Sequence, residues 1–86
     1  MKLELKAAIE HILNLLKYPV LQVVIELPKK SNFGDFSSNI AMKLSREVKS
    51  NPIKVAENIK EILILEYPNL IESIDVLKPG FLNINV

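Results

Sequence analysis

The closing stretch Glu72-Ser73-Ile74-Asp75-Val76-Leu77-Lys78-Pro79-Gly80-Phe81-Leu82-Asn83-Ile84-Asn85-Val86 holds two runs of strand character separated by three turn-forming residues. Residues 72–77 and 81–86 read as strands, because apolar and polar positions alternate along them. Lys78-Pro79-Gly80 turns the chain between them: proline presets φ and glycine accepts conformations closed to other residues. An antiparallel hairpin is expected. Side chains alternate faces along a strand, so Leu82, Ile84 and Val86 form one set and Phe81, Asn83 and Asn85 the other. The apolar set is assigned to the core. The second set, an aromatic followed by two amides, is expected on the outer surface of the sheet.

Upstream of the hairpin the periodicity changes. Residues 3–17 place Leu5, Ile9, Ile12, Leu13 and Leu16 at helical spacing, and Tyr18-Pro19 ends that helix. Residues 20–27 alternate Leu21, Val23, Ile25 and Leu27 against Val20, Gln22, Val24 and Glu26, which reads as a strand. Residues 28–34 form a loop rich in turn formers. Asp35 or Ser37 then caps a second helix running to about Val48, with Phe36, Ile40, Ala41, Leu44 and Val48 as its apolar stripe. Asn51 is a good N-cap and Pro52 suits the first helical position of a third helix, running to about Leu65 with Ile53, Ala56, Ile59 and Leu63 inward. A short extra strand near residues 33–36 is a further candidate. The order predicts an α+β domain of two layers, in which a small antiparallel sheet of three to four strands carries about three helices on one face. Residues 1–86 make one domain.

Composition narrows the function classes. Hydrophobic residues are 49% of the chain and charged residues 24%, values of a folded globular domain rather than a disordered one. There is no cysteine, which excludes disulfides and thiolate chemistry and fits a reducing compartment. No window approaches the apolar length of a membrane span, and Glu4 and Glu10 interrupt what would be a signal peptide. A cytoplasmic location is expected. The net charge is only +1, so any contact with nucleic acid is local rather than driven by a strong overall field.

Catalytic groups are hard to find. His11 is the only histidine and reads as a surface or boundary residue; no metal site is expected around it. Ser37, Ser38 and Ser45 have no evident base partner. Gly34 and Gly80 are too few for a phosphate-cradling loop. Gly34 is expected at positive φ, with Asp35 as a cap. Lys29 and Lys30, with Asn32, either face phosphate or simply solvate their loop. The Phe81, Asn83 and Asn85 set has two readings. Aromatics stack on unpaired bases and amides read base edges, which suits nucleotides of an RNA loop. Alternatively, Phe81 covers a neighbouring element and the asparagines are solvated, or the Phe81 face binds a protein. Asn83 separates these, since an amide matters to a base and little to an apolar protein contact.

Several of these residues combine into a familiar pattern. Pro28, Gly34-Asp35-Phe36, Asn39-Ile40-Ala41-Met42-Lys43-Leu44, Asn51-Pro52-Ile53, Ala56-Glu57-Asn58-Ile59 and the closing Pro79-Gly80-Phe81-Leu82-Asn83 occur in order along nearly the whole chain. Together they resemble the N-terminal additional domain of arginyl-tRNA synthetases. The resemblance implies a domain that precedes the catalytic domain of the same chain and touches the D-loop of arginine tRNA, including a variable nucleotide in it. It implies base contacts at Phe81 and Asn83, and a structural motif of Gly34, Asp35, Phe36, Asn39, Pro79 and Gly80. Asn85, Lys29 and Lys30 complete the candidate tRNA-binding set. Phe36 stands where tyrosine is common in the family. The family's class I ligase chemistry uses ATP and Mg2+, but signatures of the HIGH and KMSKS type are absent from these residues, so no cofactor and no turnover are expected in this domain. The chain ends at Val86 straight after a strand, as an excised domain would. No DNA or membrane partner is expected.

Overall fold

The computed structural model describes residues 2–19, 21–27 and 34–86. Its elements are α1 (Lys2–Leu15), β1 (Phe36–Ser38), α2 (Ile40–Val48), α3 (Pro52–Glu66), β2 (Ser73–Leu77) and β3 (Phe81–Asn85). The three strands form one antiparallel sheet in the order β1-β3-β2, which places the last strand at the centre. Ile74 of β2 and Leu82 and Ile84 of β3 are buried on one face, together with Val55, Ala56, Ile59 and Leu63 of α3 and Ile40, Ala41 and Leu44 of α2. Helix α1 packs against α3 and contributes Leu5, Ala8, Ile9, Ile12 and Leu13 to the same core. This is the α+β arrangement that the element order predicts. Burying each of these aliphatic side chains contributes about 1.5–3 kcal/mol, against the ordering entropy of a small chain.

The third helix starts as its sequence indicates. Asn51 has extended φ and ψ, its Oδ1 accepts the Ile53 N–H at 2.8 Å, and Pro52 follows at the first helical turn. Asn51→Ala leaves that N–H without its cap and is expected to cost about 1 kcal/mol. Urea unfolding of the variant shows this as a lower midpoint with an unchanged slope.

Two elements differ from expectation. Residues 20–27 were expected to form a strand, but among the described residues of this segment only Glu26 pairs, in an isolated antiparallel bridge with Ser37. The bridge exchanges two bonds of 2.8 Å, Glu26 N–H to Ser37 O and Ser37 N–H to Glu26 O. Val23 and Ile25 are buried as the alternation requires, while Leu27 is 74% exposed. Alternation marks which side chains face the core; a ladder also needs a partner backbone, and β1 offers three residues.

The second helix begins at Ile40, and neither Asp35 nor Ser37 caps it. Asn39 occupies the N-cap position without a side-chain cap bond, and the Ile40 N–H reaches Ser38 Oγ at 3.3 Å. Residues 36–38 are taken by the sheet instead, with Phe36 opposite Ile84 and Ser38 opposite Leu82. Phe36 is therefore a strand residue half-buried against the core, not part of the α2 stripe. His11 is exposed, and its Nδ1 lies 2.7 Å from the Tyr67 hydroxyl, tying α1 to the end of α3.

Candidate nucleic-acid interface

The site is built from the hairpin turn outward. Gly80 is buried, and a Cβ there would lie 3.0 Å from Pro52 Cβ and 3.2 Å from Met42 Cγ. The turn is thus seated on the junction of α2 and α3, at a distance only glycine permits. The Lys78–Pro79 peptide is cis. From this anchor β3 runs through the middle of the sheet, with Leu77 opposite Phe81, Asp75 opposite Asn83 and Ser73 opposite Asn85. On its other side Ser37 of β1 is also opposite Asn83.

Directly opposed residues share a face in an antiparallel pair. The face turned away from the helices therefore carries Phe81, Asn83 and Asn85 flanked by Leu77, Asp75, Ser73 and Ser37. Phe81 and Leu77 are 38% and 39% exposed and form an apolar patch at the turn end. Asn83 departs from the expectation of an exposed amide: it is only 6% exposed, because a central strand has neighbours on both sides. No hydrogen bond joins its amide to another described residue. An enclosed amide beside an aromatic can accept and donate to a base edge while the ring stacks on the base plane.

Asn85 is placed differently. Its Nδ2 donates to Ser73 Oγ at 3.0 Å, so part of its hydrogen-bonding capacity is used within the sheet. Its Oδ1 would be 3.2 Å from a Cβ at Gly34, whose φ is +92°. Asp35 does not cap α2; its carboxylate accepts the Val86 N–H at 3.0 Å and its own N–H donates to Ile84 O at 3.0 Å. Gly34 and Asp35 thus pin the entry of β1 to the end of β3. Among the candidate motif residues, Gly34, Asp35, Phe36 and Gly80 hold the strands and turn in place, Asn39 marks the helix start, and Pro79 is exposed in the turn. Lys29 and Lys30 lie outside the described residues, as does Pro28. The sequence places neither Asp75 nor Leu77 on this face and marks Ser37 only as a helix cap; the signal that finds Asp75 and Leu77 is the hairpin register counted outward from Lys78-Pro79-Gly80.

Among the described residues no group of His, Asp and Glu side chains is placed to hold a metal ion. Nor is any described helix long and apolar enough to cross a membrane.

The family model described as the arginyl tRNA synthetase N terminal domain matches residues 3–86. The chain belongs to the arginyl-tRNA synthetase N-terminal domain family. Its likeness to arginine–tRNA ligases extends to whole-domain alignments. The protein of Mycoplasma mobile is 46% identical over 83 residues, 96% of this chain and 15% of the relative. That of Mycoplasmoides gallisepticum is 42% identical over 81 residues, 93% of this chain and 14% of the relative. The chain therefore spans about one seventh of the length of these ligases. Thermus thermophilus arginyl-tRNA synthetase shares the fold with a TM-score of 0.83 and 22% identity, across 100% of this chain and 14% of the other. The motif resemblance and the domain's architecture thus agree with the family assignment.

Proposed function

We propose that this domain reads the D-loop of arginine tRNA for an arginine–tRNA ligase and carries no turnover itself. The observation that carries the reading is the pairing on β3 of a partly exposed Phe81 with Asn83, an enclosed amide that spends no hydrogen bond on another described residue. Phe81 stacks on a splayed base, and Asn83 hydrogen-bonds its edge. Asp75 and Ser37 border that edge from the two flanking strands. Among the described residues the apolar part of the face is confined to Phe81 and Leu77, which is small for the centre of a protein interface.

The catalytic domain of the same chain is the second partner. ATP, Mg2+ and arginine are assigned to that catalytic domain. The protein acts in the cytoplasm, where tRNA is charged, and DNA is not a partner.

Base stacking contributes about 1–3 kcal/mol and one good hydrogen bond about 1 kcal/mol. An isolated domain of net charge +1 therefore binds tRNA with roughly millimolar to high-micromolar affinity. Within the enzyme the contact becomes intramolecular, and effective concentration makes it count. NMR titration of the labelled domain with arginine tRNA at moderate salt tests this. Amide shifts concentrated at Phe81, Leu82 and Asn83, which fade with a D-loop mutant, are expected. A spectrum that does not move, or that moves equally with any RNA, removes the D-loop reading.

A further inference from the structure

The near-neutral total conceals an uneven charge distribution. Between residues 43 and 54 and in the turn 78–80 stand five basic residues, Lys43, Arg46, Lys49, Lys54 and Lys78, against one acidic residue, Glu47. These two stretches have a balance of +4 in a chain whose total is +1. The fold brings the turn against α2 and the start of α3: a Cβ at Gly80 would lie 3.2 Å from Met42 Cγ and 3.0 Å from Pro52 Cβ.

Met42 shows which side of α2 faces the turn. Arg46 follows one helical turn later on the same side, and Lys49 closes the helix one further turn on. Both are exposed. Glu47 falls roughly 140° around the helix from Met42, at about 100° per residue. Lys78 is exposed in the turn itself, three positions before Phe81. Lys54 lies on the opposite side of α3 from Pro52 and is directed away from this edge. Arg46 and Lys49 also complement the carbonyl end of α2. That explanation does not reach Lys78, which arrives from a different element.

We propose that Arg46, Lys49 and Lys78 form a phosphate-binding rim for the RNA strand whose base reaches Phe81. The inference rests on the reading of the Phe81 face as a base-binding site. Arginine and lysine side chains are donors only, so they fit phosphate oxygens and reject acceptor-free partners. Phosphate contacts set the register of a nucleic acid, while base contacts specify it. Here the two functions are divided between neighbouring surfaces. The rim lies along the edge where the turn meets α2, and the ring of Phe81 begins the sheet's outer face next to it. A strand that crosses the turn meets cations before it meets the aromatic ring. The same division explains how a domain of almost no net charge holds RNA in one orientation: the three rim cations attract the backbone beside the face that takes the base.

The test uses the full-length ligase that carries this domain. Affinity for arginine tRNA is measured across a salt series for the parent enzyme, for Arg46→Gln/Lys49→Gln/Lys78→Gln, for Phe81→Ala, and for Lys2→Gln/Lys6→Gln/Lys17→Gln as a control of equal charge loss. Each phosphate contact contributes about 0.7–0.9 to the slope of log affinity against log salt. The rim variant is expected to lower the slope by about 2–3 and affinity at moderate salt by about tenfold or more. The Phe81 variant is expected to lose affinity with its slope unchanged, and the control to keep both. A parental slope in the rim variant, with Phe81→Ala still harmful, overturns the rim and leaves the base reading standing. An equal loss in the control also overturns it, since the effect is then one of net charge. If Phe81→Ala is harmless as well, the base reading itself falls.

Discussion

Phe81→Ala in the ligase that carries this domain is expected to weaken binding of arginine tRNA about 5- to 150-fold, the equivalent of the roughly 1–3 kcal/mol that stacking on one base contributes. The structure makes this substitution a clean one. Phe81 is 38% exposed, lies opposite the equally exposed Leu77 and stands on the face away from the core residues Leu82 and Ile84. Truncating it opens no cavity in the core, so unfolding by urea is expected to change by well under the core-substitution range of about 2–5 kcal/mol. Phe81→Tyr keeps the ring and is expected to retain most of the affinity, whereas Phe81→Leu keeps apolar area without a π face and is expected to lose it. Steady-state aminoacylation at limiting tRNA reports the same loss in kcat/KM. Saturating tRNA restores the rate to the extent that the contact acts on binding alone. Parental affinity and kcat/KM in the alanine variant would dismiss stacking at this position.

What was legible in the sequence was what depends on near neighbours. The Asn51-Pro52 start of α3, the Lys78-Pro79-Gly80 turn, the positive φ of Gly34 and the inward positions of Leu82 and Ile84 all follow from a residue and its immediate surroundings. What escaped depends on distant pairing. Asp35 and Ser37 look like helix caps locally, yet the Asp35 N–H meets Ile84 O and the Ser37 N–H meets Glu26 O, partners 49 and 11 positions away in the chain. Those bonds draw residues 36–38 into the sheet and delay α2 to Ile40. The alternation at 21–27 correctly marks Val23 and Ile25 as inward but is silent on whether a backbone partner exists. The site was partly legible for the same reason. Strand period alone put Phe81 and Asn83 on one face. The burial of Asn83 to 6% and the flanking of Ser37 and Asp75 required knowing that the last strand lies between the other two. Asn85 looked equivalent to Asn83 in sequence, and only the register with Ser73 shows that its amide is engaged.

The largest effect on the fold is expected from Ile84→Ala. Ile84 is fully buried, is paired with Phe36 on one side and Ile74 on the other, and belongs to the strand that lies between β1 and β2. Removing three carbons there leaves a cavity between strands and helices that the sheet cannot close without breaking register, at a cost of about 2–5 kcal/mol. Ile84→Val, one methyl smaller, is expected to cost only about 0.5–1.5 kcal/mol. Total stability for a domain of this length is about 4–13 kcal/mol, so the alanine variant consumes a large part of the margin. Urea unfolding of the domain measures both changes, and a loss below about 1 kcal/mol for alanine would mean that the core does not centre on β3. The consequence for function follows from the two faces of one strand. Ile84 points to the helices and its neighbour Asn83 to the opposite face, so any tRNA-binding defect of Ile84→Ala is expected to arise only from depopulating the folded domain. Its defect is therefore expected to shrink when the fold is stabilised by an excluded osmolyte. The Phe81→Ala defect, in which a contact is missing from a folded domain, is expected to persist under the same conditions.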